Sequence, residues 1–245
     1  MLKSNIKSSI ANHTGRDRVS SDIFKSKGSG IKRLAAIGVV LFVVSAIIGS
    51  LSPEEVKKTL YGSLSEKVRE IEQAISGSGV YGLLLLPLII FGNNLMVSLI
   101  MLALFPTIAG PWLFIAFQGF ATGAIIGYTG IDESIEQALS TISSCTLSPS
   151  DISILKAALL IPHGIFEIPG ISVFMATSAR LSFTLIDYVS WKKGKRAEKP
   201  IFTQTLRSLL PAILIGAALL LVAAFVESFI TPLVGFITAI ALCSK

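Results

Sequence analysis

Ile161-Pro162-His163-Gly164-Ile165-Phe166-Glu167-Ile168-Pro169-Gly170 lies inside a stretch as apolar as a lipid bilayer. A charge at the centre of a membrane helix costs roughly 2.5–3.5 kcal/mol even on insertion scales. Residues four apart share a helix face, so His163 and Glu167 can partner each other and reduce that cost. Proline removes a backbone donor and clashes with the preceding turn. Pro162 and Pro169 therefore predict a hydrophobic segment broken into two half-helices, or a re-entrant piece followed by a span.

The surrounding chain is of the same kind. Its 245 residues are 52% hydrophobic and 15% charged, with a mean hydropathy of +0.74. Soluble domains carry nearer ~25% charged residues, so the composition predicts an all-α, polytopic transmembrane helix bundle. About six hydrophobic segments are expected, near 34–51, 80–105, 112–129, 152–179, 206–226 and 229–243. The last is short for a full span. Together they make a single transmembrane domain, residues 32–243. Residues 1–31 form a polar, basic tail predicted to be disordered, and the first span follows it without a cleavage site, so it reads as retained.

Charge is placed asymmetrically. Residues 1–33 carry eight Lys/Arg against Asp17 and Asp22, and residues 180–207 carry seven against Asp187 and Glu198. The segment 131–151, read as an outer loop, has Asp132, Glu133, Glu136 and Asp151 with no basic residue. This is the positive-inside pattern. It predicts a multi-pass protein of the cell (plasma) membrane with a cytoplasmic N-terminus and a basic cytoplasmic loop at 180–205. Membrane lipids are the expected contacts of the basic flanks, and no nucleic acid is implied.

Between the first two spans, Ser52-Pro53-Glu54-Glu55 has the signature of a helix start. Val56, Leu60, Leu64, Val68, Ile71 and Ile75 then recur at helical spacing opposite a charged face, predicting an amphipathic outer helix over 53–76. Two readings stay open for it: docking on the outer leaflet or a partner protein, or capping the chain's own bundle. Gly77-Ser78-Gly79 reads as a hinge. In the third span, Gly119, Gly123 and Gly127 repeat every four residues, a stripe on which another helix backbone can approach closely. The second span carries Asn93-Asn94 near its centre.

No catalytic residue, cofactor or metal site is expected. Nucleophile-elbow and phosphate-loop motifs are absent. His163 and Glu167 offer two ligands where zinc needs at least a third, and Glu227 lies, on this reading, at the wrong depth. Cys145 and Cys243 have no metal-ligand spacing and are too few for a disulfide framework.

Three clusters in order, Phe91-Gly92-Asn93-Asn94, Pro162-His163-Gly164 with Glu167, and Glu227 ahead of Thr231-Pro232, resemble the stage II sporulation protein M family. The likeness spans roughly residues 32–243, with Gln118-Gly119 where the family usually has Asn-Gly. It implies a membrane protein with no established enzymatic activity, whose namesake looks like a scaffold for cell-wall hydrolases. The engulfment role of spore formers is not carried over. The matching polar positions are Asn93, Asn94, His163, Glu167 and Glu227. They read either as polar glue between helices or as a midplane site of the kind transporters use. The expected function is a non-enzymatic scaffold or subunit of a membrane complex, with protein partners or self-association. The alternative is a transporter or export component.

Overall fold

A computed structural model describes residues 30–76, 80–142, 145, 147–195, 197 and 199–244. The expected disordered tail before Gly30 and the hinge at 77–79 lie outside the described residues, as do the side chains of Ile71 and Ile75. Everything regular among the described residues is helical: α1 (Gly30–Ser50), α2 (Glu54–Ser76), α3 (Val80–Ala103), α4 (Gly110–Ile126), α5 (Thr129–Ile142), α6 (Pro149–Lys192), α7 (Phe202–Phe225) and α8 (Thr231–Cys243).

Four helical stretches are long and apolar enough to cross a membrane: Gly30–Ser50, Leu84–Thr107, Pro149–Lys192 and Phe202–Cys243. The pair α4 and α5, bent by 48°, makes up to a fifth. The expected six is corrected in two places. The segment with Pro162 and Pro169 is not broken, because α6 runs through both prolines for 44 residues. Buried among neighbouring helices, a proline-interrupted ladder is tolerated because nearby groups satisfy what the proline frees. The stretches expected as separate fifth and sixth spans form one 42-residue helix. A π-turn at Val226–Ile230 joins them, with the Thr231 amide bonded to the Val226 carbonyl. The wider turn makes room for Pro232, whose ring would otherwise crowd the carbonyl four residues back.

Two loops also prove shorter than expected. α5 occupies most of the acidic 131–151 segment, and α6 takes up the first part of the basic 180–205 loop. Ser148 and Asp151 start α6 with a capping box, which satisfies two otherwise orphaned backbone donors.

Small residues set the helix directions. The α-carbons of Gly119, Gly123 and Gly127 on α4 lie against the backbone of Phe42, Ala46 and Ser50 on α1. Both sets advance by four, so α1 and α4 run parallel. On α6, the Ser178 hydroxyl donates to the Met101 carbonyl (2.8 Å) and Ser182 to Phe105 (2.7 Å), which makes α3 and α6 parallel too. α6 and α7 are antiparallel and come close where Gly170 faces Gly216. Phe42, Met101, Ile115, Phe174, Met175 and Leu220 form the buried core where α1, α3, α4, α6 and α7 meet.

A second, smaller core of Leu147, Ile152 and Leu155 packs against α5 and α8. Over it lies a disulfide, Cys145–Cys243. Two cysteines rule out a framework of bridges but not this one, which joins positions 98 residues apart.

Candidate functional site

The i,i+4 spacing of His163 and Glu167 is realised on α6, and α6 presents both to a cavity of about 640 Å³. Asn93 and Asn94 from α3, and Gln118 and Thr122 from α4, line the same cavity. The Asn93 amide donates to the Asn94 side-chain oxygen at 3.4 Å. The four expected polar positions on α3 and α6 are thus gathered around one space, with apolar walls from α1 and α4.

Glu227 was expected at a different depth, and the structure corrects this. One ligand atom each from His163, Glu167 and Glu227 can be chosen so that all lie within 4.8 Å of one another. The π-turn places Glu227 there, on the face of α7 that meets α6. Side chains on a helix lean toward its N-terminus. In an antiparallel pair the two sets lean toward each other, and Glu227 reaches back to the level of Glu167. Thr231, one turn on, brings its hydroxyl to 3.4 Å from Nδ1 of His163. This residue was missed as a site member, although its place ahead of Pro232 was a usable signal.

All three ligand-type side chains are half-buried, whereas Asn93 is exposed. Among the described residues, ion pairs join Lys57 to Glu54 and Lys156 to Asp132, and neither involves the cluster. Lys156 lies seven residues before His163, but its ammonium also donates to the Ile126 carbonyl at 2.9 Å. There it complements the C-terminal dipole of α4. The expected stripe Gly119, Gly123 and Gly127 adjoins the site from α4, and Gly123 itself borders the cavity.

Chemically, the imidazole of His163 and the carboxylate of Glu167 face a largely apolar space that also carries amides, and the Glu227 carboxylate and Thr231 hydroxyl adjoin them from the other helix. That set can bind a cation, pass a proton or fix one helix packing.

The chain is 30% identical over 144 residues to an uncharacterized protein of Methanocaldococcus jannaschii, an alignment covering 58% of this chain and 69% of that one. No solved structure matches. The family model for stage II sporulation protein M matches residues 38–232, a range that holds both glutamates, the histidine and the paired asparagines. With the motif clusters, the spans and the family match in agreement, the chain is an integral membrane protein of the stage II sporulation protein M family.

Proposed function

We propose that this chain is a non-enzymatic subunit around which a membrane complex assembles. One observation carries the reading: α7 and α8 form an apolar rod longer than a bilayer is thick. From Ser208 to Cys243 the only charged residue is Glu227. At 1.5 Å per residue that stretch is ~54 Å long. The hydrocarbon core is ~30 Å thick, or ~39 Å along a helix tilted by 40°. Arg207 and the basic segment before it anchor one end at the headgroups, so the excess falls on α8. There Leu233, Phe236, Ile237 and Ile240 form a stripe, each more than half exposed. A stripe of this kind beyond the lipid calls for a protein cover, and since it bears no charge the fitting partner is an apolar helix face. Val56, Leu64 and Val68 on α2 are exposed as well and offer a second contact.

The reading includes a topology: plasma membrane, N-terminus and basic segments cytoplasmic, α8 outside. Two features support it. Lys192, Lys193, Lys195, Lys199 and Arg207 fall at one end of the α6–α7 hairpin, and the disulfide, a bond of oxidising compartments, closes the other.

The test is affinity purification of the intact chain from crosslinked native cells in mild detergent, with mass spectrometry of what accompanies it. A stoichiometric partner lost when Phe236, Ile237 and Ile240 are changed to Ser is the expected result. A homo-oligomer without a partner, or a partner indifferent to those changes, overturns the reading. A second reading, a transporter or export component, rests on the Asn93, Asn94, His163 and Glu167 side chains at the cavity. It predicts that His163→Gln abolishes substrate-coupled flux in proteoliposomes while partner capture persists.

A further inference from the structure

We propose that His163, Glu167 and Glu227 bind one divalent transition-metal cation, with Zn²⁺ as the reference probe. The proposal stands apart from the assembly reading, since binding is measured on the isolated chain and needs no partner.

Four observations carry it. The first is the donor set. An imidazole with two carboxylates suits zinc and its first-row neighbours, whereas magnesium and calcium sites are built from oxygen alone. The second is geometry, with all three ligand atoms inside 4.8 Å. Bonds of ~2.0–2.2 Å bring the ligands of a tetrahedral ion within ~3–4 Å of each other, which side-chain rotation supplies from this starting point.

The third is charge. Two carboxylates face each other among apolar helices, and the nearest ammonium on α6, Lys156, is engaged by Asp132 and the Ile126 carbonyl. A dication beside a neutral imidazole brings the cluster to zero net charge, and a monovalent ion leaves it negative. The fourth is the surroundings. The Thr231 hydroxyl at 3.4 Å from Nδ1 is the kind of outer partner that holds a ligand histidine's ring, leaving Nε2 to bind the ion. Three protein ligands leave a fourth position, and the adjoining cavity, lined by Asn93, Asn94, Gln118 and Thr122, has room and polarity for water or a bound anion there.

The hairpin of α6 and α7 explains why such a site can form. His163 and Glu167 come from one helix, while the π-turn turns Glu227 toward them from the other. The cation would therefore bridge the two longest elements of the fold.

The full-length protein, purified in detergent, stripped with a chelator and shown to be monodisperse, is titrated with Zn²⁺ by calorimetry and with Co²⁺ by visible absorption. One equivalent per chain is expected. His163→Ala, Glu167→Gln and Glu227→Gln should each abolish binding, and Thr231→Val should weaken it by about 10- to 100-fold. Asp132→Asn should bind as the unaltered protein does. A monodisperse protein that takes up no Zn²⁺, or one whose uptake survives Glu227→Gln, overturns the proposal and leaves a hydrogen-bonded cluster. Should the variants fail to fold, X-ray absorption of the unaltered zinc-loaded protein decides: an imidazole in the first shell supports the site, and a shell without one overturns it.

Discussion

At Gly123 the backbone of α4 comes so close to the Ala46 carbonyl of α1 that a methyl group would overlap it. Gly123→Ala should therefore push the two helices apart and lower stability by about 1–3 kcal/mol, the usual cost of overpacking. Thermal unfolding in detergent measures this, and Gly62→Ala, which has open space around it, is the comparison with little effect. Glu54 makes a different kind of contact. Its carboxylate accepts from the Thr129 hydroxyl (2.6 Å) and amide (2.9 Å), joining the start of α2 to the start of α5. Those bonds, the hydroxyl's foremost, hold its pKa below the ordinary carboxylate value, with Lys57 adding a smaller pull. A lowered folded-state pKa means the contact contributes fully above the ordinary value and is lost as pH falls through the lowered one. Hydrogen exchange at the Thr129 amide should accelerate on that acid limb, after correction for intrinsic exchange, and Glu54→Gln should remove the step. The glycine stripe and the His163/Glu167 pair were legible because both follow a single helix's period. Glu227 was named among the polar positions but not at this depth, and Thr231 was not named as a site member, since their places beside His163 depend on the register of two antiparallel helices.

Among the elements, the turn between α3 and α4 carries a local cost. Ile108 sits at φ 62° and ψ −54°, with the Ala109 amide bonded to the Thr107 carbonyl at 2.6 Å. This is a γ-turn of the strained hand, and a β-branched residue is ill suited to positive φ. Ile108→Gly should raise the melting temperature, relieving about 1–3 kcal/mol of strain less ~1 kcal/mol for glycine's greater unfolded freedom. Proline reading fails at this scale for a physical reason. Pro162 and Pro169 were expected to end helices, as they do in water, but α6 continues through both, packed against α7 and α8. Near Pro232 the accommodation is a π-turn, which no sequence period announces. The start of α2 was readable from Pro53-Glu54-Glu55, although Ser52 does not cap it: its hydroxyl donates back to the Gly49 carbonyl.

For the whole molecule, the Cys145–Cys243 bridge ties the segment ahead of α6 to the end of α8 across 98 residues. Its loss in Cys145→Ser/Cys243→Ser should cost about 2–4 kcal/mol, chiefly by freeing the unfolded chain. The double variant should therefore melt lower, and reductant should lower the unaltered protein alone. Composition made the membrane class legible, and charge asymmetry suggested its orientation. Span count was not legible, because hydropathy marks apolar residues without saying where one rod stops. That joined pair of rods has a mechanical consequence. With its two limbs close-packed at Gly170 and Gly216 and clasped by sulfur at one end, it should resist bending and move as a single lever. Its arm is ~33 Å on either side of centre, so a rocking motion of about ten degrees displaces each tip by roughly 6 Å in opposite directions. A push at the loop between the two limbs would thereby arrive, reversed in direction, at the clasped end.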